Sequence, residues 1–112
     1  MLTVVHFVSA DPPQIIVRPR DQTLLVGGTA ALYCAAQGSP TPTLTWKKNN
    51  KKLSSTQSRY AVEANGGVLR IEPVRPRDNA TYECVAENNS GDAVSAEATI
   101  TVIERKYTHD LH

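Results

Sequence analysis

The sequence predicts an all-β fold in which two antiparallel sheets pack face to face and a single disulfide joins them. Two cysteines stand 50 residues apart; the only tryptophan, Trp46, follows Cys34 by twelve residues, and Tyr82 precedes Cys84 by two. In sandwich cores with these coupled positions, the tryptophan packs on an intersheet bridge and the tyrosine fastens a loop corner. We therefore expect a Cys34–Cys84 disulfide beside a buried Trp46, and a structural corner formed by Tyr82 and Asp78.

These positions are those of the immunoglobulin-like β-sandwich, in which the bridge joins strands B and F. The length of 112 residues fits one such domain, and a hydrophobic content of 40% is enough for one core. We expect an N-terminal tail or signal-peptide remnant at residues 1–11, the domain at 12–104 and a C-terminal linker at 105–112. Paired core cysteines favour an oxidising, extracellular setting, although muscle-type intracellular domains can carry the same cysteines reduced.

The amino-terminal residues 2–10 form a short apolar run that ends in Val-Ser-Ala, the small residues at which a signal peptidase cuts. No basic residue precedes the run, so an unrelated leading string remains an equal alternative to a signal-peptide remnant. No stretch approaches the roughly 18 apolar residues of a membrane-spanning helix. We expect no direct membrane contact by this chain.

Alternation of apolar and polar residues predicts nine strands. They are A at 15–17, A′ at 23–26, B at 29–37, C at 43–48, C′ at 51–53, D at 59–63, E at 68–72, F at 80–88 and G at 92–103. In strand F the alternation directs Tyr82, Cys84 and Ala86 inward. Asn49 and Asn50 form the C–C′ turn, because asparagine tolerates the left-handed conformation that tight hairpins demand.

The nearly neutral net charge of the chain conceals two blocks of opposite sign. Residues 22–62 contain five basic and no acidic residues, whereas residues 63–104 contain eight acidic and three basic residues, so we expect an electrical dipole. Four of the five bases flank the C–C′ turn: Lys47, Lys48, Lys51 and Lys52. The hairpin pairs Lys48 with Lys51 and Lys47 with Lys52, and like charges directly opposite each other destabilise a sheet. The cluster therefore suggests an anionic partner.

A sulfated glycosaminoglycan suits these lysines, because ammonium groups act as point charges that need no fixed geometry. Nucleic acid is disfavoured, since the cluster lacks interleaved aromatic residues and a disulfide domain lies in another compartment. A merely solvated hairpin tip stays open as the alternative. Arg59 has two interpretations: an ion pair with Asp78, at the corner between strands E and F, or an auxiliary contact to the glycan.

Five segments resemble the first immunoglobulin domain, of the intermediate set, of LAR-type receptor protein tyrosine phosphatases. They are Val-Gly-Gly at 26–28, Tyr-Cys-Ala-Ala at 33–36, Trp-Lys-Lys-Asn-Asn-Lys-Lys at 46–52, Leu-Arg-Ile-Glu-Pro at 69–73 and Tyr-Glu-Cys-Val-Ala-Glu-Asn at 82–88. The resemblance covers about residues 12–104. It implies an extracellular domain of a cell-surface receptor that binds heparan and chondroitin sulfate proteoglycans through its lysine loop, in axon guidance and synapse formation. By this resemblance Lys47, Lys48, Lys51 and Lys52 carry over as ligands, with Arg59 as an auxiliary.

The chain is not expected to be an enzyme. A tyrosine phosphatase needs a nucleophilic cysteine in a phosphate-binding loop, and both cysteines here are assigned to the core. His6, His109 and His112 lie in the two tails without the spacing of metal ligands. We therefore expect neither a metal nor a cofactor.

Two sequons for N-glycosylation are present, at Asn79-Ala80-Thr81 and at Asn88-Asn89-Ser90. Asn79 is expected to point outward and to accept a glycan. Asn88 shares the inward parity of Cys84, so we expect it to be structural and unmodified.

Three classes of function remain open. The favoured one is a glycan-binding module of a cell-surface receptor. The second is a protein–protein adhesion domain of another neural adhesion molecule, for which an exposed apolar sheet face would be expected. The third is a structural repeat of an intracellular muscle-type protein, which free thiols would reveal.

Overall fold

A computed structural model describes residues 10–54 and 56–104, and this part of the chain forms eleven strands and two short 3₁₀ turns. The strands are β1 Asp11–Val17, β2 Gln22–Leu25, β3 Ala30–Tyr33, β4 Ala35–Ser39, β5 Thr43–Lys48, β6 Lys51–Lys52, β7 Thr56–Gln57, β8 Tyr60–Glu63, β9 Val68–Ile71, β10 Ala80–Glu87 and β11 Val94–Ile103. The possible signal-peptide remnant before residue 10, the linker at 105–112 and the three histidines lie outside the described residues. The first strand begins at Asp11, one position before the predicted domain boundary.

The strands form two main sheets and one two-stranded ribbon. One sheet has the order β2-β11-β10-β5-β6, the other has the order β3-β9-β8-β7, and β1 pairs with β4. All pairs are antiparallel except that of β2 with β11, which is parallel. The chain therefore changes sheets between Val17 and Gln22. Pro12 and Pro13 are accommodated in β1 because this strand pairs on one side only.

Strand B differs from the single predicted strand. It is divided at Cys34, because β3 pairs with β9 whereas β4 pairs with β1. The sequence pattern could not show this change of partner, since both halves are equally rich in small and apolar residues. The short strand β7 was not predicted either, and its two residues carry no alternation.

The core lies between the two sheets and is centred on the predicted cysteine pair. The disulfide joins Cys34 to Cys84 with the Cα atoms 6.5 Å apart. Trp46 is 1% exposed, and Tyr82, Cys84 and Ala86 are fully buried. The predicted bridge, the buried tryptophan and the inward face of strand F are therefore confirmed. The other large, fully buried apolar side chains are Leu32, Leu69, Ile71, Val74 and Ile100.

A tight turn between β8 and β9 supplies the hydrogen-bond partner of the buried indole. Trp46 Nε1 donates to the carbonyl oxygen of Gly66 at 2.7 Å. Gly66 has φ +93°, and a Cβ atom there would lie 2.5 Å from the carbonyl oxygen of Leu44. Only glycine permits this close approach. The turn therefore fixes the tryptophan one residue before the lysines of β5.

Candidate functional site

The lysine hairpin has the predicted turn and register. Asn49 and Asn50 have φ values of 48° and 69°, as a two-residue turn with both central residues left-handed requires. Lys47 lies opposite Lys52, and Lys48 lies opposite Lys51. Both like-charge pairs inferred from the sequence are therefore present.

The tip of the hairpin is fastened to the neighbouring strand β10. The backbone N–H of Asn49 donates to the carbonyl oxygen of Thr81 at 2.9 Å, and Asn49 Oδ1 accepts from the backbone N–H of Thr81 at 3.1 Å. These two bonds hold the turn at a defined place beside the start of β10. The lysines are consequently presented from a fixed backbone.

The four lysines do not share one face. Successive side chains of a strand point to opposite faces, so Lys48 has the parity of the buried Trp46 and Lys47 the opposite one. Register then places Lys47 with Lys52 on the outer face of the five-stranded sheet, and Lys48 with Lys51 on the other side. Lys51 and Lys52 are exposed, and the other two are half-buried.

Lys48 is partly engaged within the domain. Its Nζ donates to the hydroxyl of Tyr60 at 3.0 Å and to the carbonyl oxygen of Arg77 at 3.0 Å. The ammonium also lies 5.3 Å from the centroid of the Tyr60 ring, within the range of a cation–π contact. Since an ammonium has three N–H donors, one donor of Lys48 remains for a ligand.

Arg77 is a further cation next to the hairpin, and the sequence alone did not indicate it as part of the site. Because Lys48 bonds to the backbone of Arg77, the 3₁₀ turn Pro76–Asp78 lies directly beside the hairpin. Arg77 is exposed. No signal in the sequence links residues 48 and 77, and only the folded corner brings Arg77 close to the lysines.

The outer face of the five-stranded sheet also brings acids next to the basic cluster. Glu83 on β10 is the cross-strand neighbour of Lys47 on β5 and, on its other side, of Glu97 on β11. The two charge blocks of the sequence therefore meet on one sheet face rather than at opposite ends of the molecule. The dipole expected from the linear sequence stays a prediction.

Arg59 forms the predicted ion pair with Asp78. Its Nη1 lies 2.5 Å from Asp78 Oδ2, its Nη2 donates to Oδ1 at 2.9 Å, and Nη1 also donates to the carbonyl oxygen of Pro73 at 2.8 Å. The side chain of Asp78 is fully buried and that of Arg59 is 13% exposed. The guanidinium is thus directed inward, and we leave Arg59 out of the ligand site.

Asp78 is the centre of a buried polar network. It also accepts hydrogen bonds from the hydroxyl of Tyr60 and from the backbone N–H of Arg75 at 2.7 Å, and its own carbonyl oxygen accepts from the Tyr82 hydroxyl at 2.7 Å. Burial alone would raise the pKa of Asp78, but the hydrogen bonds from Arg59, Tyr60 and Arg75 hold it below its ordinary value. Burial raises the pKa of Tyr82, which keeps this hydroxyl a donor.

The two sequon asparagines differ in their surroundings. Asn88 Nδ2 donates to the carbonyl oxygens of Asp11 and Pro40, both at 2.9 Å, and its Oδ1 accepts from the backbone N–H of Ser90 at 2.9 Å. Asn79 is exposed; its Nδ2 donates to the carbonyl oxygens of Pro76 at 2.8 Å and of Val102 at 3.5 Å, and its Oδ1 accepts from the backbone N–H of Val102 at 2.8 Å. The difference between the two asparagines is that the second bond of Asn79 Nδ2 is long, at 3.5 Å, whereas both bonds of Asn88 Nδ2 are 2.9 Å.

The adhesion alternative predicts an exposed apolar sheet face, and among the described residues six large apolar side chains are exposed. They are Ile16, Val17, Leu25, Val26, Tyr33 and Ile103. Three lie on β1 and β3, and the other three are neighbours where β2 and β11 end, at the edge of the five-stranded sheet. In the part of the chain that is described, no helix is long and apolar enough to cross a membrane.

The chain matches the model of the immunoglobulin domain family over residues 12–88. It is 60% identical, over 100 residues, to the tyrosine-protein phosphatase Lar of Drosophila melanogaster; the match covers 86% of this chain and 5% of that protein. The chain thus spans about a twentieth of the length of this relative.

Two solved structures distinguish similarity in backbone fold from similarity in sequence. A crystal structure of the N-terminal Ig1-2 module of the Drosophila receptor phosphatase DLAR superposes with a TM-score of 0.79 at 59% identity, covering 87% of this chain and 52% of that chain. A chain from a complex of titin M10 with obscurin-like 1 superposes with a TM-score of 0.80 at 31% identity, covering 88% and 99%. The backbone is equally close to both, and the sequence is much closer to the receptor phosphatase.

Proposed function

This chain belongs to the immunoglobulin domain family, as a domain of the LAR receptor-phosphatase type, and from this we propose that it binds sulfated glycosaminoglycans of proteoglycans through its lysine hairpin. The chain is an immunoglobulin domain and not a phosphatase domain, and as part of a cell-surface receptor it lies outside the cell. Its place in such a receptor also suggests protein ligands. The proposal includes roles for the receptor in cell adhesion, axon guidance or synapse formation.

The observation that carries the proposal is the pair of facing like-charge contacts on an exposed, anchored hairpin. Holding Lys47 beside Lys52 and Lys48 beside Lys51 costs stability. Between residues 10 and 104, residue 55 aside, none of these lysines forms an ion pair, and Lys47 alone has an acid, Glu83, as its cross-strand neighbour. A bound polyanion would neutralise all four lysines, and this would account for an arrangement that costs stability.

The lysines have unequal parts in the proposed site. Lys51 and Lys52 are exposed residues, and the half-buried Lys47 lies on the same sheet face as Lys52. Lys48 contributes its one remaining donor, and Arg77 extends the cationic surface at the same end of the domain. The glycan would thus contact both sides of the hairpin tip.

We expect replacement of Lys47, Lys51 and Lys52 by alanine to abolish retention on heparin at physiological salt. Binding through counterion release falls linearly with the logarithm of salt concentration, so the wild type should show a steep slope and single substitutions shallower ones. Thermal stability should change by no more than about 0.5 kcal/mol, since the three side chains are not in the core. The measurement is heparin affinity across a salt series, with thermal unfolding beside it.

The matched control is the double replacement of Arg18 and Arg20 by alanine. Both are exposed and lie next to β2, at the far edge of the five-stranded sheet from β6. This control also removes cations, so its unchanged retention would show that position matters and not net charge. Wild-type retention by the triple variant would remove the hairpin from the glycan site.

We also propose that Asn79 carries an N-linked glycan and Asn88 does not. Glycosylation replaces one amide hydrogen of the side chain, and both hydrogens of Asn88 bond to carbonyl oxygens at 2.9 Å. We expect secreted protein from eukaryotic cells to lose one glycan mass on enzymatic deglycosylation, and the Asn79→Gln variant to lose none. The Asn88→Gln variant is the control and should keep the glycan. A glycan mapped to Asn88 would contradict the proposal.

A further inference from the structure

The outer face of the five-stranded sheet carries four charged side chains in one row, in the order minus, minus, plus, plus. Glu97 lies opposite Glu83, Glu83 lies opposite Lys47, and Lys47 lies opposite Lys52. The four residues belong to the adjacent strands β11, β10, β5 and β6, so neighbours are separated by about one strand spacing of 4.8 Å. Glu97 and Lys52 are exposed, and the central two are half-buried.

Within one molecule this row is only partly balanced. The central contact of Glu83 with Lys47 joins opposite charges, but each of the two outer contacts joins like charges, which destabilises a sheet. The ion pairs recorded among the described residues, Arg59–Asp78 and Arg70–Glu63, involve none of the four. The outer charges are therefore available to opposite charges from another molecule.

The geometry points to a second copy of this chain as that molecule. Two copies can stack with these faces together about a twofold axis that runs along the strands between β10 and β5. The rotation reverses the order of the row, so that Glu97 of each copy faces Lys52 of the other and Glu83 faces Lys47. Such an isologous contact uses one patch twice, and here it brings together four pairs of opposite charge.

The neighbouring rows allow the two faces to approach. Ser95, Val85 and Thr45 lie in register on one side of the charged row, and Thr99 lies opposite Thr81 on the other side. These side chains are short and would not hold the charged rows apart. Because exposed ion pairs contribute little and are screened by salt, the contact is weak and salt-sensitive, and its complementarity acts mainly on specificity.

The test is sedimentation velocity of the whole chain over a range of concentrations at low ionic strength. We expect reversible dimers that dissociate as salt is added. The variant K47E/K52E should have an affinity for itself at least about tenfold lower than that of the wild type, because all four positions are then negative. The variant E83K/E97K/K47E/K52E has the inverted row and an unchanged net charge, and it should dimerise like the wild type.

A mixture of wild type with the inverted-row variant gives the sharpest readout. Position by position, like charges would then face each other, so a fluorescently labelled wild type should not sediment with the unlabelled variant. The control exchanges the exposed pair on the other sheet, R70E/E63R, and should mix freely with the wild type. Mixed dimers of wild type and inverted variant, or a wild type that stays monomeric at all concentrations, would overturn the proposal.

This inference does not depend on glycan binding, but a second copy and a glycan would compete for Lys47 and Lys52, and one further variant separates the two. E83Q/E97Q removes the acids and leaves every cation, so it should lose dimerisation and keep or strengthen heparin retention. If dimerisation survives in E83Q/E97Q, the row is not the interface, whatever the result on heparin.

Discussion

Replacing Asp78 by asparagine should lower the free energy of unfolding by about 3–5 kcal/mol, because it leaves the buried guanidinium of Arg59 without a counter-charge. The loss extends beyond that pair. The same carboxylate accepts hydrogen bonds from the hydroxyl of Tyr60 and the backbone N–H of Arg75, and an amide cannot accept all of them. Chemical denaturation, read as the change in midpoint at constant slope, measures the effect.

Two further variants show whether burial of the ion pair causes the large loss of stability. Arg59→Met removes one partner of Asp78 and keeps the other two, so it should cost less than Asp78→Asn. Glu63→Gln breaks the other ion pair, whose side chains are 48% and 38% exposed, and should cost less than about 1 kcal/mol. Equal small effects of Asp78→Asn and Glu63→Gln would contradict a structural role for the buried pair.

The Asp78 network also predicts a dependence of stability on pH. Its pKa is lowered in the folded state, so the unfolded chain binds the proton more tightly. The stabilisation is therefore complete above the unfolded pKa of about 3.9 and is lost as the pH falls through the folded value. Asp78→Asn should flatten the acid limb of the curve of stability against pH relative to the wild type.

The parts that the sequence predicted correctly depend on short-range or strongly coupled signals. The positions of Cys34, Trp46 and Cys84 constrain one another through a single core, and the turn at Asn49 and Asn50 is a local conformational preference. The register of the hairpin follows from that turn, because a two-residue loop leaves no freedom in pairing.

The parts that could not be predicted depend on contacts between distant segments. The inward parity of Lys48 follows from Trp46, but its bonds to Tyr60 and Arg77 required the position of the corner between strands E and F. Likewise, Glu83 stands 36 residues after Lys47 in the chain and lies beside it in the sheet. A charge block in the linear sequence is therefore a poor guide to a charged surface in a sandwich, where strands far apart in sequence are neighbours.

Removing the disulfide should have an effect of similar size to that of Asp78→Asn. The bridge closes a loop across a sequence separation of 50 residues, for which the chain-entropy model gives about 4 kcal/mol of stabilisation. That value is a large part of the 5–15 kcal/mol or so by which ordinary domains are stable. We expect Cys34→Ala/Cys84→Ala protein to unfold at much lower denaturant concentration.

Wild-type protein with its disulfide reduced is the matched control for the double alanine variant, because it keeps both side chains and lacks only the bond. The two should be similarly destabilised if the covalent link is the main contribution, and any excess loss in the variant measures the packing of the two sulfur atoms. Because Cys34 and Cys84 are 4% and 0% exposed, reduction should require opening of the sandwich and be slow in native conditions. Two free thiols in folded, secreted protein would contradict the bridge and favour the muscle-type alternative, in which these cysteines stay reduced.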